Sequence, residues 1–287
     1  MQLELRYLYH SGFTVSADGF LLVFDYWEGE DHELPLSERL DAEKLKAYEQ
    51  VFVFISHGHP DHFDEQVYGW GEEVPVTYII GYDLPGAVRG TRLWPGDVVN
   101  LNSRLTVRAF GSTDLGVSFY VTLDELNIFH AGDLNFWHWR EESTVQEIEE
   151  AETEFHAACK PIIGLPIDIC MFPVDPRQGR LYDAGANYFI MTARPRVLLP
   201  MHFWSKSDVI QEFARRARSN QTEVIALTES GERMQVETDE DGFMTLNLLP
   251  PDVPLAAEYI PQGQAVDMTG YEGDDPFWNT DEPVPMD

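Results

Sequence analysis

The residues with the clearest chemical potential lie in segment 56–63, which reads SHGHPDHF. His57 and His59 are two residues apart, so their side chains project to the same side of an extended backbone. A proline then breaks the strand, and Asp61 and His62 follow in the next turn. Imidazole and carboxylate ligands suit zinc, iron, manganese or nickel, and the absence of thiolates here argues against a structural zinc site. The segment therefore predicts a site for one or two metal ions.

The elements that must position these residues are predicted from the pattern of apolar residues. Residues 51–56 (VFVFIS), directly before the histidines, form a continuous apolar run that is typical of a strand buried on both faces. The first 130 residues favour strands, interrupted by a predicted helix over residues 37–50 with Ser37 as its N-cap. The second half alternates helices with strands, and one helix begins at a capping box formed by Thr144 and Glu147. This order predicts two sheets with helices outside them.

The pattern His-x-His-x-Asp-His after a buried strand resembles the signature of the metallo-β-lactamase fold. Residues 128–135 (IFHAGDLN) are similar to that family's strand ending in Gly-Asp. Residues 197–202 (VLLPMH) are similar to its late strand ending in a metal-ligating histidine. The resemblance covers residues 3–248 and implies the α/β class, as a four-layer αββα metallo-β-lactamase sandwich with metals at one edge between the sheets.

The resemblance also implies how the ligands divide between two metal positions. Asp133, in the Gly-Asp motif, is implied to bridge the two metals. Position one is assigned three residues, His57, His59 and Asp133. Position two is assigned four, Asp61, His62, Asp133 and His202. Asp61 is further expected to orient a metal-bound hydroxide, which makes it the candidate catalytic residue.

One ligand that the family usually supplies is missing from this chain. It is a histidine between the first motif and Gly-Asp, and the corresponding segment, residues 109–119 (AFGSTDLGVSF), contains none. Asp114 is the first candidate to replace it, ahead of Ser112 and Thr113; otherwise position one is weak. Position two has its full set of ligands and is expected to bind metal more tightly.

Several other residues have two interpretations each. His10 could reach the metals, but a structural hydrogen bond is favoured, and His130 is expected to lie beside the ligands rather than among them. Arg177 follows a predicted strand in a loop, where it could hold a substrate carboxylate or phosphate; a salt bridge is the favoured alternative. The aromatic clusters at residues 136–139 and 203–204 fit core packing and pocket walls equally well.

The charge of the chain excludes several classes of partner. Fifty acidic residues against 19 basic ones give a net charge of −31. Such a surface repels phosphate backbones and anionic lipids, so neither nucleic acid nor a membrane is a predicted partner. Two cysteines form no disulfide framework, and no signal peptide or membrane-length apolar run is visible. We therefore predict a cytoplasmic protein with a small-molecule substrate, and a homo-oligomer is left open.

The composition changes near residue 250. Residues 1–250 are assigned to the metallo-β-lactamase-fold domain, and residues 251–287 to a C-terminal extension. The extension holds nine acidic residues, six prolines and no Lys or Arg. It also contains large apolar residues, so part of it is expected to lie across the body or a neighbouring subunit.

The leading functional hypothesis is a metal-dependent hydrolase that uses metal-bound hydroxide on a small ester, lactone or phosphoester. Zinc is the preferred metal, with manganese and iron as alternatives. The resemblance is strongest to the branch containing L-ascorbate-6-phosphate lactonase, on the grounds of the hairpin at residues 10–14 and the Gly-Asp motif. The alternatives are an iron-dependent oxidoreductase on the same fold and a binding protein that has lost its chemistry.

Overall fold

Two mixed β-sheets form the centre of the molecule. The structure is a computed structural model and describes residues 1–249 apart from residues 32, 87–88, 140–141 and 218. The first sheet contains, in spatial order, β15 (Met244–Leu249), β14 (Arg233–Thr238), β1 (Gln2–Tyr7), β2 (Phe13–Ala17), β3 (Phe20–Phe24), β4 (Gln50–Ile55), β5 (Val76–Gly81) and β6 (Thr91–Leu93). The second contains β13 (Glu223–Val224), β12 (Val197–Met201), β11 (Ile169–Pro173), β10 (Leu126–His130), β9 (Val117–Leu123), β8 (Leu105–Gly111) and β7 (Val98–Asn100). The predicted extension at residues 251–287 lies outside the described residues.

Helices cover the outer faces of both sheets. They are α1 (Ala42–Leu45), α2 (Val67–Trp70), α3 (Val145–Cys159), α4 (Ala184–Thr192), α5 (Ser207–Ala217) and a 3-10 helix (Pro176–Leu181). On α4, Phe189 stacks on Phe129 of β10, and Phe155 of α3 meets Phe172 of β11 edge to face. Leu45 of α1 and Trp70 of α2 belong to the apolar cluster on the outer side of the first sheet. This arrangement confirms the predicted four-layer αββα sandwich.

Strand β4 is buried on both faces, as its sequence predicts. Val51, Val53 and Ile55 pack under α1 and α2, whereas Phe52 and Phe54 belong to the core between the sheets. Because β4 is parallel to β3 and β5, its carboxyl end lies at the same edge as theirs. In the second sheet β10, β11 and β12 are also parallel, so their carboxyl ends meet at one edge. Parallel strands thus bring loops that are distant in the sequence to one edge of each sheet.

The predicted helix over residues 37–50 is wrong in its extent. Only α1 forms, and its N-cap is Asp41, whose side chain accepts a hydrogen bond from the Lys44 amide. The predicted cap, Ser37, lies in a preceding turn. Next to it, the carboxylate of Glu38 is buried and accepts a hydrogen bond from Arg6 at 3.2 Å, so a tertiary contact overrides the local helix propensity. The capping box at Thr144 is confirmed as the start of α3.

Within the described residues, no helix has both the length and the apolar composition that crossing a membrane requires.

Candidate metal centre

The structure brings all six predicted ligands together at the edge where the parallel strands end. His57, His59, Asp61 and His62 follow β4, Asp133 follows β10, and His202 follows β12. Asp133 lies at the middle of the cluster. Its Oδ1 is 3.1 Å from His62 Nε2 and 3.4 Å from His202 Nε2, and its Oδ2 is 3.4 Å from His57 Nε2.

The side chains form two groups around Asp133. In each group the potential ligand atoms lie within 4.8 Å of one another; the first group is His57, His59 and Asp133, and the second is His10, Asp61, His62 and His202. Since one oxygen of Asp133 faces His57 and the other faces the second group, its carboxylate lies between two potential metal positions. The grouping agrees with the division that the resemblance implied for His57, His59, Asp61, His62 and His202. It differs in two respects: the second group also contains His10, and Asp133 is grouped only with His57 and His59, although its Oδ1 faces the second group.

The additional histidine is His10, for which the sequence favours a structural hydrogen bond. It lies in the turn between β1 and β2, is fully buried, and its carbonyl oxygen accepts a hydrogen bond from the His202 amide at 3.1 Å. Its Nε2 is 3.2 Å from Asp61 Oδ2, yet neither ring nitrogen makes an aligned hydrogen bond within the described residues. Burial and, after it, the neighbouring His202 lower the pKa of His10 to about 3, so the ring is neutral. A buried neutral imidazole whose ring nitrogens lack hydrogen-bond partners is suited to bind a metal ion.

Two buried aspartates orient the histidines of position two. Asp25 Oδ2 accepts hydrogen bonds from His62 Nδ1 at 2.8 Å and from Ser56 Oγ at 2.6 Å. Asp175 Oδ2 accepts one from His202 Nδ1 at 3.0 Å. Each carboxylate holds a proton on Nδ1, which leaves Nε2 free to face Asp133. The sequence signal for Asp25 was an aspartate within the apolar run FLLVFDYW, because buried carboxylates are rare unless they are paired.

The Asp25→Asn variant is expected to bind metal about 10- to 100-fold more weakly. An uncharged Asn side chain holds the His62 Nδ1 proton less strongly than a carboxylate does, so His62 Nε2 becomes a weaker metal ligand. Competition with a chromogenic chelator measures the affinity. Asp168→Asn is the matched control, since Asp168 accepts a hydrogen bond from the Asn127 amide at the opposite end of the strands. Equal affinities in the two variants would contradict the orienting role of Asp25.

The electrostatics of the cluster favour a cation at its centre. Burial raises the pKa of Asp133, but His62 and His202 outweigh it and hold that pKa well below its ordinary value. Burial likewise lowers the pKa of His62, but Asp133 and Asp25 outweigh it and raise that pKa well above the ordinary value. His62 Nε2 and Asp133 Oδ1 are buried without an aligned hydrogen bond within the described residues. The negative charge of the Asp133 carboxylate and the unpaired ligand atoms around it fit one or two divalent ions, whose positive charge would take the place of the proton on His62.

Comparison with known proteins agrees with this geometry. Residues 4–202 match the family model described as the β-lactamase superfamily domain. The chain belongs to the β-lactamase superfamily. The match contains the first motif, Asp133 and His202, so all six predicted ligands lie within the family's own domain.

Individual relatives in this superfamily are distant. A UPF0173 metal-dependent hydrolase from Pyrobaculum neutrophilum is 23% identical over 70% of this chain and 84% of its own length. The solved metallo hydrolase Igni18 from Ignicoccus hospitalis is 20% identical, with a TM-score of 0.62 over 83% of this chain and all of that one. A variant of CmlA, a diiron β-hydroxylase from Streptomyces venezuelae, is 13% identical, with a TM-score of 0.50 over 81% of this chain and 53% of that one. The structural likenesses concern the fold alone.

In this member of the superfamily, Asp114 is the residue of segment 112–114 that reaches position one. Its Oδ2 is 3.8 Å from His59 Nδ1, and its side chain is 43% exposed. The Thr113 hydroxyl is engaged elsewhere, donating to the Asn135 carbonyl oxygen and accepting from the Asn135 amide at 2.9 Å. A ligand role for Asp114 stays a prediction.

The metal centre opens into a cavity of 340 Å³. It is lined by His59, Asp61, Thr113, Asp114, Asp133, Trp137, Trp139, Arg177 and His202. The aromatic residues at 136–139 and 203–204 are divided between the two predicted roles, cavity wall and core packing. Trp137 and Trp139 form walls of the cavity, whereas Phe203 is buried in the core and Phe136 packs against it. The Trp137 Nε1 donates to the Asp133 carbonyl oxygen at 2.8 Å, which connects this wall to the residue that is predicted to bridge the metals.

Proposed function

We propose that the protein is a metal-dependent hydrolase acting on a small ester, lactone or phosphoester. The observation that carries this proposal is the carboxylate of Asp133, which lies between two groups of imidazoles at the floor of an open cavity. A divalent ion held there would lower the pKa of a bound water and polarise the scissile bond. Zinc is the preferred metal of this donor set, followed by manganese and iron. The net charge of −31 supports a small molecule rather than a nucleic acid as substrate.

The chain's own residues have defined tasks in this reaction. Asp61 Oδ2 lies 3.6 Å from His202 Nε2, and the side chain is 22% exposed at the cavity floor. From there it can accept a hydrogen bond from the attacking water and orient it. Trp137 and Trp139 exclude bulk water from one side of the cavity. Asp25 and Asp175 hold the Nδ1 protons of His62 and His202 throughout.

The experiment is a metal analysis of the purified protein followed by a substrate panel. The panel contains a nitrophenyl ester, an aliphatic lactone, a sugar-phosphate lactone of the L-ascorbate-6-phosphate type, and a phosphodiester. We expect hydrolysis of at least one of them, loss of activity with a chelator, and recovery on adding zinc. Hydrolysis that survives complete metal removal would overturn the proposal. Iron-dependent oxygen uptake without hydrolysis would instead support the oxidoreductase alternative.

Titration of the metal-free protein should show one tight and one weaker binding event. Position two has more imidazole and carboxylate groups around it than position one, so it should be the tight one. His202→Ala should abolish the tight event, and Asp114→Ala should weaken only the other. His156→Ala is the control, because His156 lies on α3 and stacks on Tyr188. Two equal events that are indifferent to Asp114 would mean that another residue completes position one.

A further inference from the structure

Arg177 is the only Lys or Arg among the cavity-lining residues in the described part of the chain. It lies in the 3-10 helix that follows β11. Its Nε and Nη2 donate to Asp175 Oδ2 at 2.9 and 2.6 Å, so one edge of the guanidinium is held by that carboxylate. The sequence favoured a salt bridge over a substrate contact for this residue, and the structure shows that the salt bridge leaves the other edge unused.

The unused edge belongs to a side chain that is partly open to the cavity. Within the described residues Nη1 makes no hydrogen bond, and the side chain is 49% exposed. The guanidinium lies over the Trp204 ring at 4.5 Å and near the Trp139 ring at 5.9 Å. A guanidinium held by a carboxylate and an indole has little freedom left to lose, so it is preorganised to bind an anion.

Arg177 and the Trp204 ring beneath it form a platform at the side of the cavity. The backbone that positions Trp204 in this platform is strained. Trp204 has a φ of 55° and His202 has a φ of 63°, in the left-handed region that bulky L residues rarely adopt. Such conformations cost free energy and persist mainly where a site needs them. Here one short loop places an imidazole beside Asp133 and an indole beneath Arg177.

Asp175 connects the platform to the metal centre. Its Oδ2 accepts from both His202 Nδ1 at 3.0 Å and Arg177 Nη2 at 2.6 Å. Arg177 is therefore two hydrogen bonds away from a predicted metal ligand. Arg177 and the metal centre line the same cavity, so a single small molecule can contact both. The cavity volume of 340 Å³ is at the small end of the roughly 300–1,000 Å³ of typical ligand sites.

We propose that Arg177 binds a carboxylate of the substrate, so that the substrate is a small carboxylic acid whose ester or lactone group lies at the metal centre. This inference rests on the proposed hydrolase function. Asp61, Asp114 and Asp133 line the same cavity, so a singly charged carboxylate meets less repulsion there than a doubly charged phosphate. Trp137 and Trp139 provide apolar walls for the rest of the molecule.

A binding experiment tests the carboxylate site without requiring turnover. The zinc-loaded protein is titrated with 3-phenylpropanoate, its neutral amide and phenyl phosphate, with tryptophan fluorescence as the readout. We expect the carboxylate to bind at least tenfold more tightly than the amide. Arg177→Gln should remove this preference, because a charge-assisted hydrogen bond contributes about 10- to 100-fold in affinity. Arg177→Lys should keep part of it, and Arg180→Gln, in the same 3-10 helix but outside the cavity lining, should keep all of it.

A kinetic experiment then connects the site with hydrolysis. The ratio of kcat/KM for the mono-4-nitrophenyl ester of glutarate to that for 4-nitrophenyl butyrate should fall about 10- to 100-fold in Arg177→Gln. Metal content is measured for every variant, and the comparisons use proteins reconstituted to equal content.

The two proposals fail in different ways. If no ester, lactone or phosphodiester is hydrolysed, the hydrolase proposal fails, while the binding preference still tests Arg177. An anion preference that is unchanged in Arg177→Gln would show that the carboxylate binds the metal alone and would overturn the inference. Tighter binding of phenyl phosphate than of 3-phenylpropanoate would overturn the choice of carboxylate.

Discussion

The Asp133→Ala variant is expected to lose hydrolysis by about 10³-fold or more and to bind at least one metal ion fewer per chain. Asp133 is the residue whose two oxygens face both groups of ligands, Oδ1 toward His62 at 3.1 Å and Oδ2 toward His57 at 3.4 Å. Removing it deletes a ligand that both positions share and leaves two positive centres without the carboxylate between them. Metal analysis and the hydrolysis assay measure the two losses separately.

Asp114→Ala is the matched control for this variant. Its carboxylate is 3.8 Å from His59 and contacts one side of the site only, so its removal should reduce activity by a much smaller factor. Thermal unfolding of both variants shows whether the loss of activity reflects loss of the fold. If folded Asp133→Ala retains both the metal content and the turnover of the parent protein, the bridging assignment is wrong.

The Gly116→Ala variant is expected to be destabilised by about 3 kcal/mol or more, which corresponds to a fall in Tm of roughly 5–10 °C. Gly116 has a φ of +70°, and a Cβ there would collide with the carbonyl oxygen of Ser56 and approach His57 Cβ to 2.5 Å. The same carbonyl accepts a hydrogen bond from the Val117 amide at 3.1 Å, which joins the two sheets beside the first motif. The added methyl group must therefore displace either the backbone of the metal-binding loop or the start of β9.

Gly111→Ala tests the specificity of that effect. Gly111 ends β8, pairs with Val117 and has open space where a Cβ would be added. Its replacement should leave the free energy of unfolding nearly unchanged, because only a close approach or a left-handed backbone penalises alanine in such a position. Denaturant unfolding of both variants measures the difference. Equal stability would mean that the sheets can separate at Gly116 without cost.

The local sequence determined the elements and the metal-binding motif of this protein. The continuous apolar run at residues 51–56 predicted β4, and the Thr144 capping box predicted the start of α3. The first motif follows β4 directly, so four of the six predicted ligands lie within six consecutive residues. Such features depend on residues close together in the chain, where period and spacing are readable.

Only the tertiary structure decided which distant residues complete the site. His10 and His202 are nearly two hundred positions apart in the sequence, yet the backbone of one accepts a hydrogen bond from the other. Asp25 and Asp175 act on histidines from other loops, and Arg177 faces the cavity because Asp175 and Trp204 hold it there. These contacts arise because parallel strands from separate parts of the chain end at one edge of the sandwich. No local pattern contains that pairing, since strand order is set by packing of the whole core rather than by neighbours in sequence.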